Sequence, residues 1–356
     1  MLRMKAISLN ARDIQICTDA YPAPHAVPDN LVPVSDGAGE VVQVGEKVRL
    51  YKVGDKAFPV FPQGHHFEED LPLAEPDRGL CQGLGGAVDG VACEYFVVDE
   101  ANCVKIPDYM SFEEAACLPV AAATAWCSLF GHHPKLRAGD TVCCLGTGGV
   151  SLAAAQFALL SSAKVILTSS SSAKLERCKA LLQPLIHPNA PASVLKTINY
   201  AEVPDWDVEA RRLNGGKGVS FVIEIGGRGT LGRSIRSTRP GGLVAISGYM
   251  SDYAAIDPKI LEEGQQAFIA RRKVDEGNHT DLNIIFTDVA KLILYSAVNV
   301  RGVFCANSTQ VKEMVQAMEV VSARPIIDSV FKFEDLPAAY EYLQKGRHIG
   351  KVVVTV

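Results

Sequence analysis

This 356-residue chain lacks paired cysteines, an excess of positive charge and long apolar runs. Its ten cysteines stand at 17, 81, 93, 103, 117, 127, 143, 144, 178 and 305, and no two are spaced C-x-x-C. Cys143 and Cys144 fall in an apolar run that reads as a strand, so they point to opposite faces. A disulfide framework is thereby disfavoured, and reduced core thiols in a cytoplasmic protein are expected. Acids outnumber bases, 40 against 35. Without a broad cationic field, nucleic acid is not an expected partner. No apolar run of about 18 residues occurs, so no membrane span is expected. The start, Met1-Leu-Arg-Met-Lys5, shows no apolar run of the secretory kind, so no leader is expected, and no internal repeat is visible. What is present, 48% hydrophobic and 21% charged residues, is the composition of a soluble globular protein with length for two domains.

Residues 1–118 are rich in strand and turn signals. Gly39 and Gly45 bracket one strand, Val53-Gly-Asp-Lys-Ala57 turns into another, and Val91 to Val98 reads as a third. Ser111, followed by Glu113 and Glu114, reads as a helix N-cap. From residue 119 the rhythm changes to alternating helix and strand, which predicts a parallel sheet with crossovers. Strands are expected at 141–145, 164–168, 197–200, 219–224, 242–247 and 298–304, and helices at 121–130, 172–182 and 230–238. Residues 309–356 then read as helix, strand, helix, strand, returning to the first domain. Two stretches exceed ordinary connection lengths: 183–196, with three prolines, and the polar, helix-like 251–281. They read as insertions, either loops or gene-model artefacts.

The stretch that organises the rest is Thr141-Val-Cys-Cys-Leu-Gly-Thr-Gly-Gly-Val-Ser151. A strand, a glycine turn and a helix-forming run in that order put a helix N-terminus against a phosphate. Gly146 would make the tight turn. Gly148 would leave room for a pyrophosphate, and Gly149 would bring the helix close to the strand. Thr147 and Val150 complete the loop, and Ser151 stands where the fingerprint's last glycine belongs. Alone, this pattern also fits a glycine turn that holds no ligand.

Together with its flanking segments the loop resembles the medium-chain dehydrogenase/reductase superfamily, in its zinc-free quinone-oxidoreductase-like branch. The matching segments are Ser8-Leu-Asn-Ala-Arg-Asp13, Ser35-Asp-Gly-Ala-Gly-Glu-Val-Val42, Glu113-Glu-Ala-Ala116, Thr124-Ala-Trp126, the Gly146 loop, Glu224-Ile-Gly-Gly227 and Gly350-Lys-Val-Val353. The resemblance implies an α/β fold: a GroES-like β-rich catalytic domain (1–118 and 306–356) and a Rossmann doubly wound parallel-sheet domain (119–305). Most members carry a β-hairpin before the point where this sequence starts, and its lack is expected to leave strand edges unpaired.

Zinc-dependent relatives hold the metal with a cysteine three residues before an aspartate, with a His-Glu pair before Gly-x-Gly, and with a later cysteine. The matched positions here are Asn10, Ser35-Asp36 and Val120. None keeps a zinc ligand of the usual kind, and 60–100 holds only Cys81 and Cys93 for a structural site. No metal site is expected.

An NAD site carries an acid about 20 residues past the first glycine. Here the second strand ends in Ser169-Ser-Ser-Ser172, with no acid before Glu176. Hydroxyls and Lys174 suit a 2′-phosphate, and in NADPH-dependent relatives the corresponding Ser, Lys and Tyr contact it. These map to Ser169 or Ser170, Lys174 and Tyr200, so NADPH is expected over NADH. The competing reading is a polar helix start with a solvated lysine. Thr124, Gly226, Gly227, Ser247, Gly248, Phe304 and Lys351 complete the expected cofactor pocket. Asn10 and Asp13 are the expected catalytic residues, Asn10 as a donor to a carbonyl oxygen; a structural role for both is the alternative.

The resemblance thus implies hydride transfer from NADPH to a small-molecule quinone, enone or other activated carbonyl without zinc. A zinc-free alcohol or aldehyde dehydrogenase and a catalytically silent nucleotide-binding protein are the competing readings. A homodimer is left open.

Overall fold

The computed structural model describes residues 1–18, 20–21, 27–65, 82–250 and 289–356. The expected helix-like segment 251–281 lies outside them. The chain opens with β1 (Leu2–Leu9), which buries Leu2, Met4, Ala6, Ile7 and Leu9. It runs directly into α1 (Ala11–Cys17), whose start is fixed by Asp13: its carboxylate accepts the Asn10 N–H at 2.7 Å. β2 (Asp36–Val41) and β3 (Lys56–Pro59) follow. β4 (Pro62–Gln63) and β5 (Gln82–Gly83) form a separate pair, and β6 (Tyr95–Phe96) and β7 (Cys103–Lys105) complete this region. The strand expected over Val91–Val98 shrinks to β6. Val91 and Ala92 instead donate their N–H groups to the loop carbonyls of Val34 and Pro33, at 2.8 and 3.1 Å.

The helical stretch 112–131 contains α2 (Phe112–Ala115), α3 (Ala123–Trp126) and two wider π-type turns. Ser111 caps it as expected. Its hydroxyl accepts the Glu114 N–H, and the Glu114 carboxylate accepts the Ser111 N–H. By length and hydropathy this stretch could cross a membrane, which its sequence pattern does not announce, but most of it is buried inside the fold. It packs as a core helix.

The parallel sheet comprises β8 (Thr141–Leu145), β9 (Lys164–Ser169), β10 (Leu195–Asn199), β11 (Val219–Glu224), β12 (Thr238–Ile246) and β13 (Asn299–Gly302). Their spatial order, β10-β9-β8-β11-β12-β13, is that of a doubly wound dinucleotide-binding sheet. α4 (Gly149–Leu160), α5 (Ser172–Leu182), α6 (Trp206–Leu213), α7 (Leu231–Ser237) and α8 (Val289–Ser296) flank it. The proline-rich connection 183–196 folds into two short 3-10 turns that lead into β10. The strand order reverses between β8 and β11, and that crevice is where such sheets take ligands.

The chain then returns through α9 (Ser308–Val320), β14 (Ile327–Lys332), α10 (Leu336–Gln344) and β15 (Lys351–Thr355). β15 inserts between β14 and β1, giving a seven-stranded sheet in the order β14-β15-β1-β2-β3-β7, with β6 also paired to β1. β1 is paired on both sides, to β15 and to β2.

Candidate active site

The glycine loop sits at the carboxyl end of β8. Gly146 has φ +76, the left-handed turn that favours glycine. Gly148 is the N-cap of α4, and a Cβ built on it meets no atom within 4 Å. The space over the helix N-terminus is open, as a pyrophosphate needs. Gly149 has a different reason from the one expected. A Cβ there would meet Lys351 Cδ at 2.7 Å and Ala121 Cβ at 3.0 Å, so the missing side chain makes room for a lysine stem. Buried Ser151 donates to the Leu145 carbonyl and closes the turn in place of a last glycine. The Gly350 N–H donates to the Thr147 carbonyl at 2.9 Å, tying the loop to the returning segment.

At the end of β11, the fully buried Glu224 carboxylate accepts the N–H groups of Gly226 and Gly227, at 2.6 and 3.0 Å. The hydroxyls of Thr230 and Ser234 donate to it as well. Gly226 and Gly227 therefore shape this edge of the crevice while their N–H groups face Glu224. The Ser247 N–H donates to the Glu224 carbonyl, and a Cβ on Gly248 would meet the Ile225 carbonyl at 2.7 Å.

At the end of β9, Ser169 is buried and its hydroxyl accepts the Ser171 N–H at 3.2 Å. Ser170 and Tyr200 are exposed beside it. The Lys174 ammonium donates to the carbonyls of Gly346 and His348, at 2.6 and 3.2 Å. Burial pulls the Lys174 pKa below its ordinary value. Burial, reinforced by Lys174, takes His348 down to about 4, so this imidazole stays neutral at physiological pH.

The third element is a polar cluster built from segments far apart in sequence. The ammonium of Lys351, almost fully buried, donates to Leu9 O (2.9 Å), Asn10 Oδ1 (2.6 Å) and Asp36 Oδ2 (3.2 Å). Asn10 Nδ2 donates to Asp36 Oδ2 at 2.9 Å and Ser35 Oγ at 3.2 Å. Both amide hydrogens of Asn10 thus point inward, away from the carbonyl-donor task expected of them. Burial is the largest influence on Asp36 and raises its pKa, with Lys351 pulling the other way. Burial likewise pushes Asp13 up to about 6. Cys117, beside this cluster, is pushed up to about 12 by burial, in keeping with an inert core thiol.

A cavity of about 570 Å³ opens beside these elements. Of the expected residues, Asn10, Thr124, Val150, Ser247, Gly248 and Phe304 line it, whereas Asp13, Gly146, Thr147, Gly148, Gly149, Ser169, Ser170, Lys174, Tyr200, Gly226, Gly227 and Lys351 are not among its lining residues. Arg12 and Phe61 also line it. The sequence reading did not single them out, although Arg12 lies inside the Asn10-Ala-Arg-Asp13 segment. Among the described residues, no group of three or more His, Cys, Asp or Glu is arranged to hold a metal ion.

A doubly wound sheet with an open glycine turn at its switch point, joined to a β-rich domain across a cavity, defines a nicotinamide-dinucleotide oxidoreductase. Residues 1–108 match the alcohol dehydrogenase GroES-like domain, and residues 194–354 match the family described as zinc-binding dehydrogenase. A zinc-type alcohol dehydrogenase-like protein of Schizosaccharomyces pombe is 36% identical, over 100% of this chain and 90% of its own length. A solved structure of an alcohol dehydrogenase candidate from Sinorhizobium meliloti 1021 superposes with a TM-score of 0.80 at 30% identity, covering 100% of this chain and 90% of that one. An NAD-dependent alcohol dehydrogenase gives 0.76 at 30% identity, with coverage of 100% and 91%. The chain belongs to the medium-chain dehydrogenase/reductase superfamily and is an oxidoreductase.

Proposed function

We propose that the protein is an NADPH-dependent reductase that delivers hydride to a quinone, an enone or another activated carbonyl without a catalytic metal. The observation that carries this reading is the Lys351 ammonium held among Leu9, Asn10 and Asp36. Asn10, Ser35-Asp36 and Val120 occupy the positions matched to the zinc ligands of relatives. Catalytic zinc takes three protein ligands of the Cys, His or carboxylate type. Only Asp36 is such a group, and its Oδ2 is already bonded by Lys351 and Asn10. A second cation beside that ammonium would meet direct repulsion. These residues do not fit zinc.

They do fit a dinucleotide, because the space over Gly148 is open. Gly146 to Val150 would hold the pyrophosphate, and Ser169, Ser170, Lys174 and Tyr200 would surround the 2′ position. Thr124, Val150, Ser247 and Gly248 would flank the nicotinamide. Bound NADPH would supply the hydride. The chain's part is to orient the acceptor and to exclude water with apolar walls such as Phe61 and Phe304.

The purified protein is expected to oxidise NADPH with a benzoquinone or an aliphatic enone, and to do so unchanged after dialysis against a chelator. Loss of activity on chelation, restored by zinc, would overturn the metal-free assignment. Because one 30% identical neighbour is named NAD-dependent, cofactor choice needs its own test. Lys174→Ala is expected to lower the preference for NADPH over NADH at least about tenfold, equivalent to about 1.4 kcal/mol. Equal use of both cofactors by the unmodified protein would sink the NADPH reading.

A further inference from the structure

We infer that Arg12 anchors a carboxylate of the substrate, so that the acceptor reduced here is an activated carbonyl compound carrying a free acid group. This deepens the reductase reading and rests on it for the chemistry at the other end of the molecule. Arg12 lies on α1 in the wall of the cavity, with its side chain 12% exposed. Its Nη1 donates to the Leu84 carbonyl at 2.9 Å. Its Nε is buried with no hydrogen-bond partner, and among the described residues no hydrogen bond runs from Nη2. One edge of the fork is satisfied and the other is open. A buried donor left unmade is costly, and such a cost at a cavity wall is explained by an acceptor that arrives with the ligand.

The open edge carries Nε–H and one Nη2–H in parallel, the pair that a carboxylate accepts with both oxygens. The surroundings hold the guanidinium plane in place. It lies 4.8 Å from the Phe61 ring centroid and 5.0 Å from that of Tyr21. Phe61 in turn lies 5.5 Å from Phe304, at the end of the cavity expected to face the nicotinamide. Gly86 leaves the room that Nη2 occupies: a Cβ there would come within 2.4 Å of it. Asp13 Oδ1 stands 3.7 Å from Nη1, on the already bonded side of the fork, and does not occupy the Nε/Nη2 edge. Asn10 offers no competing donor, because both its amide hydrogens are used.

The test is calorimetric titration of the NADP⁺-loaded protein with an oxo-enoic acid and, separately, with its methyl ester. The acid is expected to bind at least about tenfold more tightly than the ester. Arg12→Gln should abolish that difference. Arg12→Lys should restore only part of it, because an ammonium cannot engage both oxygens in one plane. Gly86→Ala keeps the charge but pushes Nη2 aside, and should also reduce the difference. Equal binding of acid and ester by the unmodified protein, or an acid preference that survives Arg12→Gln, overturns the assignment. Benzoquinone reduction measured on the same preparations reports on the reductase reading separately. If no acceptor is reduced while the Arg12-dependent acid preference persists, that reading fails and the anchor stands. Unfolding midpoints of the variants establish that each is folded.

Discussion

A valine at position 148 is expected to abolish binding of the nicotinamide dinucleotide and to leave the fold intact. The two halves of this outcome have separate causes. Gly148 has φ −81 and ψ −177, extended backbone that any residue adopts, and no atom lies within 4 Å of a Cβ built there. The unliganded protein therefore loses only the modest N-cap advantage of glycine over valine, about 1 kcal/mol. The same empty space is where phosphate oxygens must come close to the first N–H groups of α4. Two added methyl groups fill it and hold the phosphates away from those donors. A loss of at least about a hundredfold in NADPH affinity is expected, equivalent to about 2.8 kcal/mol. Gly146→Val is the contrasting control. At φ +76 a β-branched side chain strains the turn itself, so that variant should lose stability as well as binding. Fluorescence titration with NADPH, paired with thermal unfolding, separates the two. A Gly148→Val protein that binds NADPH like the unmodified one would remove the loop from the cofactor site.

The parallel-sheet half of the chain was legible because its signals are local. Val219–Glu224 and Ser172–Leu182 form as the sequence indicates, since an apolar run ended by glycines and a serine-capped helix start are decided by neighbouring residues. The β-rich half is less legible. Val91–Val98 has strand composition, yet the loop at 33–34 takes its first backbone donors, and no local pattern announces that. The short α1 escaped because seven residues carry too little periodicity, and its start is fixed by the Asp13 side chain bonding back to Asn10. At the site the same division holds. Gly146 could be read as a turn from its own neighbourhood. The purpose of Gly149 could not, because the Lys351 stem that fills its place comes from the other end of the chain. Asn10 lines the cavity, but its hydrogens are claimed by Ser35 and Asp36, at and just before the start of β2. Arg12 was in view as a letter between Asn10 and Asp13. Its open edge becomes visible only once Leu84, Gly86 and Phe61 are folded around it.

Lys351→Met should be the most destabilising single change in the polar cluster, by about 3–5 kcal/mol at neutral pH. Lys351 and Asp36 are almost fully buried, and the ammonium is shared by three oxygens. Methionine keeps much of the stem volume beside Gly149 but strands a carboxylate in an apolar interior. That carboxylate has an escape, because it can take up a proton. Burial already raises Asp36 even with Lys351 pulling it down, so without the ammonium its folded-state pKa rises further. The sign of the pH dependence follows. For an acid whose pKa is higher folded than unfolded, stability is fullest below the unfolded value, about 3.9, and is lost as pH rises towards the folded value. The deficit of Lys351→Met against the unmodified protein should therefore be smallest near pH 4 and widen towards neutrality, as measured by denaturant unfolding across that range. Asp36→Asn combined with Lys351→Met should recover part of the loss, since an amide oxygen still accepts from Asn10 and no charge is left behind. NADPH turnover should fall in the single variant even at the pH where stability recovers. Protonating Asp36 removes the unpaired charge, but the Lys351 bonds to Asn10 Oδ1 and the Leu9 carbonyl stay lost, so the Asn10 amide in the cavity wall is held by fewer bonds. A Lys351→Met protein of unaltered, pH-independent stability would show that the ammonium is not the charge holding this cluster together.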